Sequence, residues 1–251
     1  MLVAALDTAT LTLSCALVDV APGAAPRLRC ERTEHAPRAG SGAAATGGHG
    51  ARLPGALRDL LVAEGLKLPD VEGYAIGIGP GSFTGLRIGL ATWKGLAYAN
   101  RRPIAGASSL AAMALAAAPS APPGATLVPL LDARKGEVYA GFFRAAGEGV
   151  EPVAPEAALP PEALLARLAT LPAPLAFGGG LDAYADALEA VPRLGGAVAF
   201  PPALAVAALA APRLLGAAFD AQALFALEPH YVRASEAELK FPKGLGPGAD
   251  R

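Results

Sequence analysis

Apolar residues recur in short, distinct patterns along the first part of the chain. Leu2 to Leu6 and Leu11 to Val18 read as paired strands around a Thr-rich turn, and Leu28 to His35 continues the meander. Pro37 to Gly50 is rich in Gly, Ala and Ser and shows no periodicity, which predicts a flexible loop. Leu53, Leu57, Leu60 and Leu61 then share one face at helical spacing, with Gly65 as a stop. Tyr74 to Ile78 reads as a buried strand and Ile88 to Asn100 as a second helix, with a further strand around Pro103 to Ala107. In the second half, Leu127 to Leu131 and Val138 to Arg144 read as strands flanking a polar turn. Pro161 opens a helix to Leu168. Leu175 to Phe177 is a short strand before Gly178-Gly179-Gly180, with a helix beginning near Ala183. Alternating strands and helices predict an α/β architecture. A lobe boundary is expected near Ala105, giving a first lobe over 1–105 and a second over 106–251, with Ala118 to Gly124 as a loop inside the second.

At 251 residues the chain is long enough to bury a sizeable core. Its hydrophobic content of 53% owes much to alanine, as does a mean hydropathy of +0.40. No apolar run reaches the ~18–20 residues of a membrane span. Ala203 to Ala218 comes nearest and is broken by Pro212, Arg213 and Gly216. The N-terminus has no basic leader, so the expected compartment is the cytoplasm. A formal net charge of −1 argues against a protein that grips nucleic acid mainly through its own phosphate contacts. Arg101-Arg102 and Arg134-Lys135 are small basic clusters that read as solvated turn residues. Cys15 and Cys30 read as small buried residues on neighbouring strands rather than a disulfide.

The candidate chemistry centres on Gly77-Ile78-Gly79-Pro80-Gly81-Ser82-Phe83-Thr84-Gly85-Leu86-Arg87-Ile88-Gly89. A strand, a Gly-rich turn and a helix start can aim backbone N–H groups at an anion, or can simply make a sharp turn. A Walker A loop is excluded, because Leu86-Arg87 follows Gly85 where Lys-Ser or Lys-Thr is needed. A dinucleotide fingerprint keeps Gly79 and Gly81 but has Thr84 in place of the third glycine. No acidic residue follows on the next strand to hold a ribose. His35, His49 and His230 are scattered without ligand spacing, so no metal is expected. No Ser-His-Asp or Cys-His set supports a catalytic triad.

The whole string Gly79-Pro80-Gly81-Ser82-Phe83-Thr84-Gly85-Leu86-Arg87-Ile88-Gly89 resembles the signature of the TsaB (YeaZ) family of bacterial tRNA-modification proteins. Asp7-Thr8-Ala9-Thr10, Glu34 to Arg38, Asp132 to Tyr139 and Pro229 to Arg233 with Glu236 to Glu238 resemble further family segments in the same order. The resemblance is weakest between Gly147 and Arg213. It implies a two-lobed α/β fold of the actin/Hsp70/sugar-kinase (ASKHA) type, with the tail after about Phe219 crossing back to the first lobe. It also implies a non-catalytic subunit that binds and activates a TsaD-type threonylcarbamoyltransferase. The modification would be threonylcarbamoylation of the adenosine beside the tRNA anticodon. Further implied partners are a TsaE-type ATPase and tRNA, with a homodimer when the chain is alone, and no cofactor. Asp7, Thr8 and Thr10 stand where actin-like ATPases place a phosphate turn, which makes them candidates for weak nucleotide binding. Ala9 limits how closely a phosphate could approach there. Gly178-Gly179-Gly180 could lie against an adenine or form a strand-to-helix turn. TsaD-type proteins carry a metal-binding histidine pair, and Ser109 and Met113 stand in the matching places. Such a metal wants imidazole or carboxylate, not a lone hydroxyl and a thioether. The alternatives are an autonomous nucleotide-dependent transferase or kinase on the same fold, or a dinucleotide-binding oxidoreductase.

Around the helix Ile88 to Asn100, Arg87 and Lys94 share one narrow face and nearly every other position is apolar or small. A helix apolar nearly all round is buried on more than one side. That burial is either in this chain's own core or against a partner, and the family resemblance implies a helical bundle with a partner. Arg87, Leu90, Trp93, Lys94 and Ala97 are therefore the expected partner-binding residues, with Trp93 as anchor. Gly89 and Gly95 would permit close helix approach.

Overall fold

The computed structural model describes residues 1–35, 49–147 and 149–233. Most of the loop expected over Pro37 to Gly50 lies outside the described residues, while His49 and Gly50 open a helix. Among the described residues the strands form two sheets. In the first, β1 (Leu2–Asp7) pairs antiparallel with β2 (Thr12–Asp19), which pairs antiparallel with β3 (Arg27–His35). On its other side β1 runs parallel to β4 (Gly73–Gly77), and β4 runs parallel to β5 (Ile104–Ala107). The strand order is β3-β2-β1-β4-β5.

Both faces of this sheet are covered, which is why β1 reads as a continuous apolar run. Leu2, Ala4 and Leu6 face α1 (His49–Ala63) and α2 (Phe83–Asn100), where they join Leu53, Leu57, Tyr74 and Trp93 in one core. Val3 and Ala5 face the opposite way, against the alanine-rich helix α6 (Ala203–Leu214). The period of two along a strand makes this division inevitable once helices cover both sides.

The second sheet has the order β8-β7-β6-β9 and repeats the β3-β2-β1-β4 arrangement of the first. It is built from β6 (Thr126–Arg134), β7 (Glu137–Ala146), β8 (Gly149–Leu159) and β9 (Pro174–Phe177). The pairs β6–β7 and β7–β8 are antiparallel and β6–β9 is parallel. Between the sheets lie α3 (Ser109–Ala117) and α6 (Ala203–Leu214). Leu110 and Met113 of α3 pack into the second sheet's core, whereas Ala112 packs with α6 against the first. The outer face of the second sheet carries α4 (Pro161–Leu168), while α5 (Gly179–Ala183) follows β9. A short α7 (Ala221–Ala226) lies on α2. This is a two-lobed α/β molecule in which four strands of each sheet share one order.

Two boundaries differ from expectation. The second helix starts at Phe83, inside the signature, because Ser82 caps it by accepting from Gly85 N at 3.2 Å. The helix expected near Ala183 instead starts at Gly179 and stops at Ala183. The apolar stretch from Ala203 forms α6, with Pro212 in its last turn. No helix among the described residues is long and apolar enough to cross a membrane.

Candidate functional site

The carboxyl ends of the parallel strands β1 and β4 meet the signature turn, the usual place for a ligand crevice in an open α/β sheet. Here the two turns lock together. Asp7 is fully buried and accepts from Ser109 Oγ at 2.6 Å and from Ala9 N at 2.8 Å. Ser109 Oγ in turn accepts from Gly79 N at 3.1 Å, and Ser109 N donates to Gly79 O at 2.8 Å. Ser82 N donates to Ala9 O at 2.6 Å, and Thr8 Oγ1 donates to Gly85 O at 2.9 Å. Burial pushes the Asp7 carboxyl up to about 7, against the smaller pull of the Ser109 and Ala9 bonds.

The glycines follow from this closeness. A side-chain carbon on Gly81 would collide with the Ala9 backbone, one on Gly89 with Thr8, and one on Gly77 with the Asp7 carboxylate. Gly79 holds a φ of +99°, a left-handed conformation that favours glycine. The amides of Ala9, Gly79, Ser82 and Gly85 are all donated within the protein. Of the two readings left open by the sequence, the sharp turn is therefore the one these contacts build. Asp7 and Thr8, expected as nucleotide contacts, are buried under the signature and cannot touch a nucleotide unless it moves. Thr10 is half-buried, and its hydroxyl accepts from Thr12 N at 3.1 Å. Gly81→Val should cost about 1–3 kcal/mol by overpacking this contact. A lowered thermal midpoint with displaced α2 amide resonances would register it, and an unchanged melt would contradict it.

The faces of α2 correct the expectation for its partner residues. Leu90, Trp93 and Ala97 point into the first lobe's core. Trp93 is fully buried, donates Nε1 to Ala4 O at 3.0 Å, and meets the Tyr74 ring edge-on at 6.2 Å. The sheet needs a large apolar cover at this point, and Trp93 supplies it. Arg87 and Lys94 do share one face, but the chain's own C-terminal segment occupies it. Arg87 Nε donates to the Tyr231 hydroxyl at 3.1 Å while its guanidinium stacks 3.8 Å above the Phe83 ring. Lys94 Nζ donates to Phe225 O at 3.0 Å. The face of α2 left open carries Thr84, Ile88, Ala91, Gly95 and Ala99, all small or half-buried. Their spacing was visible in the sequence, but nothing there said which stripe faced outward.

A family model described as TsaD, tRNA N6-adenosine threonylcarbamoyltransferase, matches residues 43–241. TsaB of Escherichia coli K12 is 37% identical over 141 residues, covering 55% of this chain and 60% of that protein, less than two thirds of its length. TsaB of Bacillus subtilis 168 is 30% identical over 199 residues, covering 77% of this chain and 83% of that protein. This chain belongs to the TsaB family. A solved structure of YeaZ from Pseudomonas aeruginosa agrees, with a TM-score of 0.69 at 30% identity, covering 92% of this chain and 99% of that one.

In this TsaB-family chain, Ser109 and Met113, the positions expected to correspond to a TsaD-type histidine pair, have other work. Ser109 holds Asp7 and the signature turn, and Met113 is buried in the second lobe's core. Gly178 adopts a φ of +103°, and a side chain there or at Gly180 would meet the Leu130 backbone. The Gly178-Gly179-Gly180 run thus serves a tight strand-to-helix turn. Among the described residues no cluster of His, Cys, Asp or Glu could hold a metal ion. Cys15 is buried on β2 and Cys30 half-buried on β3, both free thiols. One group escaped the sequence reading altogether. Glu156 of β8 accepts from Ser108 Oγ and faces the His230 imidazole at 3.5 Å. An isolated Glu between prolines and alanines carried no signal of this.

Proposed function

We propose that this chain is the non-catalytic subunit of a tRNA-modifying assembly. It binds and activates a TsaD-type threonylcarbamoyltransferase, which places threonylcarbamoyl on the adenosine beside the anticodon. The observation that carries this reading is Ser109 donating to Asp7 at 2.6 Å. The side chain matched to a catalytic metal ligand is spent on holding the phosphate-type turn closed. The curated relatives' names, tRNA threonylcarbamoyladenosine biosynthesis proteins, supply the pathway. We assign the first lobe to 1–105 and the second to 106–251, with the tail after about 219 returning to the first. A TsaE-type ATPase and tRNA would join through the complex, in the cytoplasm.

The docking surface in this reading is the open face of α2, with α1 on one side and the C-terminal segment on the other. Ala91 and Gly95 form its floor, small enough for a partner helix to approach closely. Nothing lies within 4 Å of a side-chain carbon added at Gly95. Gly95→Arg should therefore leave the melt unchanged or raise it, since Gly costs roughly 1 kcal/mol in a helix interior. It should also abolish copurification with the transferase and the loss-of-modification rescue in cells. Normal copurification of Gly95→Arg would remove this surface from the assignment. The purified chain alone should hydrolyse ATP and transfer threonylcarbamoyl only at background. Turnover without a partner would favour an autonomous nucleotide-dependent transferase.

A further inference from the structure

The C-terminal segment does more than return to the first lobe. Asp220 caps α7 by accepting from Gln222 N at 2.8 Å and Ala223 N at 3.2 Å. Leu224 is buried in the first lobe's core and Leu227 packs against it. Phe225 and Phe219 lean on Tyr98, with rings 5.7 and 6.0 Å away. These contacts are made with the first sheet and its helices. From His230 the contacts divide between the lobes. His230 N donates to Ile78 O at 2.7 Å, at the carboxyl end of β4, while its imidazole faces Glu156 of β8. Tyr231 returns to Arg87 and Phe83 of the first lobe. Arg233 Nη1 then donates to Glu137 Oε2, at the start of β7, at 2.8 Å.

We propose that Pro229 to Arg233 is a bolt that crosses the crevice between the lobes and holds them in one relative orientation. Two of the segments resembling family motifs, Asp132 to Tyr139 and Pro229 to Arg233, meet in the Glu137–Arg233 pair. The bolt has something to restrain. Apart from the bonds of Ser109 to Asp7 and Gly79, the lobes meet largely through α3 and α6, whose Ala112, Ala203, Ala207, Ala210 and Ala211 belong to one cluster of mostly small side chains on the first sheet. Helices packed through mostly small side chains can slide in shear. Neither polar contact, Glu137–Arg233 or Glu156–His230, would hold the lobes alone. Anchored at Leu224 and Tyr231, however, the segment presents both pairs at high effective concentration. Glu156 gives the arrangement a further mark. Its Oε2 is buried without a hydrogen-bond partner among the described residues, and the group facing it is the bolt's own imidazole.

The test reads the lobe-to-lobe distance in the full chain. Spin labels at Ala63→Cys on α1 and Ala169→Cys after α4, both exposed positions, report it by pulsed electron resonance in a Cys30→Ala background. The parent should give one narrow distance. Glu137→Arg with Glu156→Ala, which removes both anchors on the second lobe, should lose that single distance and add longer ones without losing the folded circular-dichroism signal. Adding Arg233→Glu restores the ion pair with reversed charges and should narrow the distribution again. Should the double variant fail to fold, Arg233→Glu alone gives the same reading, with broadening expected. A distance unchanged in the variant measured, or one that stays broad after the charge swap, would overturn the bolt.

Discussion

Trp93→Ala should destabilise the protein by about 3–5 kcal/mol, the usual cost of emptying a buried Trp site. The indole fills the space between α2 and the first sheet, and truncation removes its contacts with Tyr74 together with its bond to Ala4 O. For a chain of this length that corresponds to a fall of roughly 10 °C in the thermal midpoint. Trp93→Phe should lose only the hydrogen bond and part of the fill, about 1 kcal/mol. Leu90→Glu should unfold the first lobe, because it would bury an unpaired charge in the same core. Denaturant titration measures all three. A Trp93→Ala protein that melts normally but no longer binds its partner would put the indole at an interface instead.

That result turns on the feature of α2 least legible in the sequence. A helical wheel gives the spacing of Arg87, Leu90, Trp93, Lys94 and Ala97 but not the direction in which any of them points. The direction is set by the sheet beneath, where Trp93 meets Ala4 and Tyr74, and by the C-terminal segment alongside, whose contacts lie more than a hundred residues away in sequence. The start of the same helix was hidden by its glycines. Gly85 and Gly89 lower helix propensity, so the periodic signal began only at Ile88. Gly89 is kept because it touches Thr8. Elsewhere the patterns carried further. The meander from Leu2 to His35, the leucine face of α1 and the Pro161 start of α4 all stand in the structure where the periods put them. β8 was not legible because Pro152 and Pro155 argue against a strand. At the edge of a sheet they are tolerated, since the missing donors can face outward. The interlocked turns were legible only as a Gly-rich motif. That Gly81 serves Ala9 and Ser109 serves Asp7 emerges from the meeting of β1, β4 and α3.

Asp7 makes this junction sensitive to pH. Its carboxyl is held near pH 7 by burial, whereas in the unfolded chain it titrates near the ordinary value of 3.8. Between those values the folded protein keeps the proton and the unfolded chain releases it. Folding therefore binds a proton, and Asp7 makes stability fall as pH rises through this window, levelling above about pH 7. A difference of this size corresponds to a few kcal/mol, on the order of 1.4 per pH unit. Asp7→Asn removes the titration while keeping a carbonyl oxygen for Ala9 N and an amide that Ser109 Oγ can accept from. The variant should lose stability less steeply than the parent between pH 4 and pH 7. At pH 8, where the parent carries a charge in this buried place, the variant should match or exceed its thermal midpoint. Melts of the two proteins at matched pH isolate Asp7 from Glu156, whose carboxyl is also raised by burial but is common to both. Parallel curves for parent and variant would show that Asp7 stays ionised, and that the bonds from Ser109 and Ala9 outweigh its burial.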